Sequence, residues 1–429
     1  MRVCVVGLGK IGLPLAVQYA SKGLTVTGCD SDERLVREVN EGRCPIVGEE
    51  GLEERLAAVR AAGRLRATTD TAAAVASSEV VVVIVPVGVD EDHRPDLSAL
   101  DAAAEAIARG LRPGALVVLE STVPVGTTRG RLGRALEEGS GLRAGVDFCL
   151  AFSPERVYSG RVFRDLRTYA KVVGGIDEAS TQRAAAFYGR ALDAEVLPVR
   201  DAETAEFAKL AETTYRDVNI ALANELALCA DAYGIDVAEA IAAANSQPYS
   251  HIHQPGVGVG GHCIPVNPYL LMQGPAAKVG DSSSLRLAAT SRQINDAMAR
   301  YGVDRLEAAL GSLEGSTVLI LGLSYRPNVK EAAHSSALLL AAELRARGAR
   351  PLVHDPLFSP AEIASLGLEP AGELPLPRID AIIVQALHDA YRDLDLGSFA
   401  GCRAVLDGRN ALERQRVEAA GMTYLGVGR

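Results

Sequence analysis

Short, unbroken apolar runs punctuate the first third of the chain, at 2–6, 24–28, 80–85, 115–119 and 148–152. Runs this short, apolar on both faces and bounded by glycine or small polar residues predict strands buried inside a parallel sheet. The amphipathic stretches between them predict the helices that cover it. From 203 to 233 no Gly or Pro interrupts the pattern, which predicts one helix about 45 Å long at ~1.5 Å rise per residue. A helix around 284–301 follows. Strands then return at 317–321, 351–354, 381–384 and 404–406, with a helix at 336–347.

The first of these runs leads straight into Gly7-Leu8-Gly9-Lys10-Ile11-Gly12, and the second ends at Asp30. A G-x-G-x-x-G between strand and helix, with an acid about 20 residues on, is the fingerprint of a dinucleotide site. Gly7 makes the tight turn, Gly9 admits the pyrophosphate, and Gly12 lets helix and strand pack closely. Asp30 accepts hydrogen bonds from a ribose diol and repels a 2′-phosphate, so NAD is expected rather than NADP. The fold class is α/β: two Rossmann-like, doubly wound domains joined by a long central helix. The boundaries expected are 1–200 for the NAD-binding domain, 201–305 for a helical dimerisation segment and 306–429 for a second nucleotide-binding domain.

Composition narrows the function. A formal charge of −10 over 429 residues argues against nucleic acid and against an anionic membrane surface. No apolar run approaches the roughly 20 residues of a membrane helix. With a strand at its very start, the chain is expected to carry no signal peptide and to be cytoplasmic. Seven cysteines without metal-type spacing suit a reducing compartment and imply no metal site. Cys4, Cys29 and Cys149 fall in apolar runs and read as small core residues. Lysine is scarce: Lys10, Lys22, Lys171, Lys209, Lys278 and Lys330 are all there are.

Candidate chemistry sits elsewhere. In Gly256-Val257-Gly258-Val259-Gly260-Gly261-His262-Cys263, four glycines in six residues let a substrate approach the backbone and then present one thiol. A catalytic Cys263 is the better reading than an incidental one. Two strand ends, Glu120-Ser121-Thr122-Val123-Pro124 and Ser153-Pro154-Glu155-Arg156-Val157, stand where such sheets carry their chemistry, although each also reads as a capped turn. On the long helix, Lys209, Thr213 and Arg216 share one face.

These motifs together resemble the UDP-glucose/GDP-mannose dehydrogenase family over nearly the whole chain. The Pro-Glu-Arg-Val block and Arg216-Asp217-Val218-Asn219 most resemble its UDP-N-acetylmannosamine dehydrogenase branch. The resemblance implies two hydride transfers from C6 of a UDP-linked hexose, giving a uronic acid through a Cys263 thiohemiacetal and thioester. It implies Lys209 as stabiliser of the developing oxyanion, with Glu155 and Thr122 around the reacting carbon and the water. It places Lys10, Ile11 and Thr122 with the cofactor. Arg156, Val157, Lys209, Arg216, Gly260, Tyr325 and Arg326 fall with the UDP-sugar, and the central helix in the interface of a homodimer or higher homo-oligomer. Four positions depart from the family pattern: Thr213 stands for Asn, Asn267 for Asp, Arg326 for Lys and Ala333 for Arg. A two-electron dehydrogenase of an unusual sugar nucleotide and a non-catalytic NAD- and sugar-nucleotide-binding relative are the competing readings. Retention of both Lys209 and Cys263 speaks against the second.

Overall fold

Strand β1 (Arg2–Val6) carries four buried apolar residues in a row, and β4 (Val80–Val83) is buried throughout. Only a strand flanked by neighbours and covered on both faces tolerates such a sequence. In this computed structural model, which describes residues 1–279, 285–376 and 378–429, these two pair as centre of an eight-stranded sheet. Its other strands are β2 (Thr25–Cys29), β3 (Leu65–Thr68), β5 (Leu116–Leu119), β6 (Cys149–Phe152), β7 (Lys171–Gly175) and β8 (Val196–Pro198). The order is β8-β7-β6-β5-β4-β1-β2-β3. All pairs are parallel except β6 with β7, which run antiparallel with Phe152 opposite Gly174. The predicted purely parallel pattern is thus broken once, after β6, where the chain folds back on itself. Helix α1 (Gly12–Ser21) covers the sheet through an almost wholly buried face, and α2 (Glu178–Ala191) contributes Phe187 and Tyr188 to the same core. Cys4 and Cys29 are buried as expected, with their sulfurs 3.5 Å apart, while Cys149 is half-buried.

The chain divides into two units, Met1–Glu212 with Tyr269–Ser282, and Thr213–Pro268 with Ser283–Arg429. The segment expected at 201–305 is shared between them. Helix α3 (Ala202–Tyr233) belongs in part to each, because no Gly or Pro interrupts its 32 residues. A short helix at Val237–Ala244 follows, then α4 (Asn267–Val279) and α5 (Arg286–Leu310); the start expected at 284 lies outside the described residues. No helix among the described residues is long and apolar enough to cross a membrane.

The second unit holds a six-stranded, all-parallel sheet. Its strands are β9 (Thr317–Leu321), β10 (Arg350–His354), β11 (Glu369–Pro370), β12 (Ala381–Val384), β13 (Ala404–Asp407) and β14 (Thr423–Gly426). They are ordered β11-β10-β9-β12-β13-β14. Helix α6 (Ser336–Ala346) packs on β9 and β10 and is capped by Ser335, whose side chain accepts from the Ala337 amide. Between α3 and α5 lies a buried polar line. Arg292 donates to Asp217 Oδ1 at 2.6 Å, Asn295 donates to the same oxygen at 2.8 Å, and Asn224 donates to Asn295 at 2.8 Å. Asp217 is fully buried and Arg292 is 3% exposed, so each charge depends on the other for its place in the interior.

One buried acid of the first unit makes stability depend on pH. Glu206 of α3 accepts from the Gly126 amide at 2.5 Å, and from the Thr128 amide and hydroxyl at 2.8 and 2.6 Å, capping the helical run that starts there. Burial nonetheless raises its carboxyl from 4.5 to about 7. Between those values the folded state holds a proton that the unfolded chain has released. The stabilisation is therefore complete below pH 4.5 and is lost as pH rises through about 7. Thermal unfolding between about pH 5 and 8 should show a flatter fall of Tm with rising pH in Glu206→Gln than in the wild type. Equal slopes in the two proteins would place the titration elsewhere.

Candidate active site

In the first unit the glycine turn behaves as its spacing requires. Gly7 has φ +97°, and a Cβ there would lie 2.4 Å from the Ile84 carbonyl oxygen. A Cβ on Gly12 would lie 1.9 Å from the Gly7 oxygen, so the start of α1 sits directly on the turn. Gly9, by contrast, faces open space: nothing lies within 4 Å of where its Cβ would be. Closed on both sides and open in the middle is the shape a pyrophosphate needs at a helix N-terminus. Lys10 is exposed and Ile11 half-buried beside it. Asp30, at the end of β2, accepts the Leu8 amide at 2.8 Å and the Asp32 amide at 3.0 Å, and stays half-exposed toward the place of the ribose. These residues fit a dinucleotide.

Thr122 is half-buried past the end of β5, next to Ser121, whose hydroxyl donates to the Val85 carbonyl at 2.6 Å. Beyond β6, Glu155 is held on all sides. Its Oε1 accepts from the amides of Arg156 and Val157 at 2.7 and 3.2 Å, and its Oε2 pairs with Lys171 at 2.9 Å. Lys171 also reaches Glu120 at 2.7 Å, and Glu120 accepts from Tyr19 and Tyr188 at 3.0 and 2.6 Å. The lysine and both tyrosines escaped the reading of the sequence. Its one usable signal was the rarity of lysine. Arg156 turns its guanidinium to Glu212 at 3.3 Å and to the Ala170 carbonyl, and Val157 is half-buried beside it. Lys209 lies on α3, 5% exposed.

The thiol loop belongs to the second unit and is pinned along its length. The Gly256 amide donates to Asn224 at 2.9 Å, so the buried polar line of α3 and α5 ends on the loop. Asn219, one residue of the Arg-Asp-Val-Asn block, holds the His251 carbonyl and the His253 amide at 2.6 and 2.9 Å. Arg409 donates to the Gly258 carbonyl at 3.0 Å, and the Gly261 amide donates to the Ala333 carbonyl at 2.8 Å. Gly260 and Gly261 lie against Tyr325: a Cβ on Gly260 would be 2.6 Å from the tyrosine Cβ. Cys263 itself is exposed. Next to it, His262 meets the nearly buried Glu331 at 3.1 Å.

Two departures from the family pattern turn out to be one contact. The Asn267 side-chain amide donates to the Thr213 hydroxyl at 3.1 Å, with both residues buried. The Asn267 backbone amide meanwhile donates to the Cys263 carbonyl at 2.8 Å, opening helix α4. Asn267 therefore links the thiol's own backbone to α3, one turn beyond Lys209. An uncharged pair occupies this interior position.

The second sheet repeats the turn of the first. Gly322 has φ +99°, and the Leu323 amide donates to Asp355 at 2.8 Å as Leu8 does to Asp30. Here the carboxylate is fully buried. It also accepts from the Ser324 amide and hydroxyl at 2.8 and 2.9 Å and faces His388 Nε2 at 3.0 Å. Burial alone would raise it, but these donors hold it below its ordinary value. No face is left for a ribose diol, so this turn serves a different ligand from NAD. Tyr325 and Arg326, both half-buried, follow it, with the guanidinium 5.7 Å from the tyrosine ring centroid. Arg216 is half-buried on α3.

Residues 1–192 match the NAD binding domain, 203–297 the central domain and 319–414 the UDP binding domain of one family. The chain belongs to the UDP-glucose/GDP-mannose dehydrogenase family. The UDP-N-acetyl-D-mannosamine dehydrogenase of Pyrococcus horikoshii is 35% identical over 100% of this chain and 99% of its own. An NDP-N-acetyl-D-galactosaminuronic acid dehydrogenase of Ralstonia solanacearum is 36% identical over 97% of each chain. The solved UDP-glucose dehydrogenase of Pyrobaculum islandicum superposes with a TM-score of 0.89 at 31% identity, covering 100% of this chain and 97% of its own. The protein is an NAD-dependent nucleotide-sugar dehydrogenase.

Two expectations follow for this dehydrogenase. NAD should be preferred to NADP in kcat/KM, and Asp30→Asn should narrow the preference about tenfold, an amide repelling a phosphate less than a carboxylate does. Equal kcat/KM for the two cofactors in the wild type would refute the role of Asp30. For the buried pair, Thr213→Asn and Asn267→Asp should each lower kcat, and the double variant should recover part of the loss. A coupling of about 1 kcal/mol is expected for residues in contact. Additive losses in a double-mutant cycle would show that the contact carries no catalytic weight.

Proposed function

We propose that the enzyme oxidises C6 of a UDP-N-acetylhexosamine to the uronic acid, in four electrons, through a thioester on Cys263. The observation that carries this reading is an exposed thiol on a glycine loop pinned at both ends, in a chain whose relatives are named for N-acetylated sugar nucleotides. The turn at Gly7, Gly9 and Gly12, with Asp30, Lys10, Ile11 and Thr122, would hold NAD, which when bound accepts hydride. Tyr325, Arg326, Gly260 and Arg216, together with Arg156 and Val157, would hold the UDP-sugar.

Within that frame, the chain's own groups divide the work. Lys209 steadies the charge that develops on the C6 oxygen and relays its proton. The Cys263 thiolate adds to the aldehyde carbon, giving a thiohemiacetal. Once that is oxidised to the thioester, water at the carbonyl carbon releases the acid and restores the thiol. Thr213 and Asn267 keep the Cys263 backbone fixed relative to α3 during both steps. Helix α3 leaves Tyr215 and Leu222, two turns apart on one face, exposed, and we assign this face to a homodimer interface. Sedimentation at micromolar concentration should return twice the monomer mass, and a monomer there would refute it.

The test of the reaction is NADH formed per sugar across a panel of UDP-, GDP- and dTDP-hexoses, with two per UDP-N-acetylhexosamine expected. One per sugar would reveal a two-electron enzyme, and none on the whole panel a binding protein. Cys263→Ser should abolish uronate formation while leaving NAD affinity intact, since an alcohol is a far weaker nucleophile than a thiolate. Undiminished uronate from the folded variant would refute the thioester route.

A further inference from the structure

The one antiparallel pairing of the first sheet has a chemical consequence. In a parallel sheet, a strand's first residue lies at the edge away from the active site. Because β7 runs against β6, its first residue, Lys171, lies instead at the edge where β5 and β6 end, with Glu120 and Glu155 just beyond those ends. The ammonium, 5% exposed, bridges the two carboxylates at 2.7 and 2.9 Å, and their side chains are 0% and 10% exposed. Two acids thus share one base in this buried cluster. The phenols of Tyr19 and Tyr188 complete the shell of Glu120, while Glu155 is held by the amides of its own loop and by Lys171.

What the cluster holds is the loop from 155 to 161. Glu155 takes the amides of Arg156 and Val157. Asp165 takes the Tyr158 amide at 3.0 Å and pairs with Arg161 at 3.1 Å, and Glu49 takes the amides of Gly160 and Val162 at 2.5 and 2.6 Å. The loop has no regular structure of its own, so these three carboxylates set its course. Glu155 has the strongest claim because its other oxygen is anchored by a buried charge. Burial, which would raise its carboxyl, is outweighed by Lys171 and the Arg156 amide, which hold it below the ordinary value. For Glu120, burial prevails and the carboxyl is raised. Lys171, which burial would lower, is held above its ordinary value by the two acids.

We propose that Lys171 and Glu120 are positioning residues for the reaction. They hold Glu155 as a fixed carboxylate that staples the 155–161 loop. The proposal rests on the reading of the chain as a UDP-sugar dehydrogenase in one respect only, the use of sugar-nucleotide kinetics as a readout.

Two variants test it. Lys171→Met leaves two buried carboxylates facing each other, and they must share a proton. Its kcat/KM for the sugar nucleotide should fall as pH rises from about 6 to 8, and Lys171→Met combined with Glu120→Gln should remove that slope. Identical pH profiles for the single and the double variant would overturn the proposal. Amide hydrogen exchange reads the loop without turnover. In Lys171→Met the amides of 155–161 should exchange faster than in the wild type, while those of the glycine turn at 7–12 stay unchanged. Unaltered exchange at 155–161 would refute the clamp. A wild type that oxidises no sugar nucleotide would instead refute the proposed function and leave the exchange result standing.

Discussion

A backbone amide donated to an aspartate across the end of the next strand is the constraint on which both halves of this protein are built. Gly7 and Gly322 turn the chain with φ +97° and +99°, and the following amides, of Leu8 and Leu323, each find their carboxylate at 2.8 Å. A side chain on either glycine would strike a neighbouring strand: the Ile84 carbonyl in one case, Ala386 in the other. The same turn then serves two ligand chemistries because the aspartates differ in what else they hold. Asp30 keeps a half-exposed face for a ribose, whereas Asp355 is consumed by Ser324 and His388. Within one supersecondary unit, the two carboxylates thus differ in whether a side is left open to solvent.

Much of this was legible along the chain, since it is local. The apolar runs at 2–6, 80–85 and 115–119 became strands with small shifts at their ends, and the fingerprint glycines act within six residues of one another. What stayed hidden is what only tertiary folding assembles. Strand β3 alternates Leu65-Arg66-Ala67-Thr68 and carries too few apolar residues to stand out. Strand β7 opens with a lysine, which along the sequence reads as a solvated residue rather than a buried one. The partners of that lysine lie 51 and 16 residues away, and those of Tyr19 and Tyr188 101 and 68. The Arg-Asp-Val-Asn block was recognisable as a motif, yet its physical work became visible only in the fold. Asp217 anchors Arg292 from 75 residues off, and Asn219 holds the approach to the thiol loop from 32 and 34.

Several buried polar groups in this protein hold irregular backbone. The thiol loop and the 155–161 loop have few regular hydrogen bonds of their own, and each is tied by a carboxylate or amide rooted in a helix or strand. Hydrophobic packing places the sheets; buried polar contacts then decide the path of these loops. Such networks also make the site rigid before substrate arrives, which is the condition for electrostatic stabilisation of a transition state.

The contact between Thr213 and Asn267 carries an implication for descent. Each side chain is shaped to the other, and each sits in the interior, so either residue changed alone meets a partner suited to its predecessor. Lineages passing between the Asn/Asp arrangement and this Thr/Asn one must cross that mismatch, which favours inheritance of the two positions as a single character.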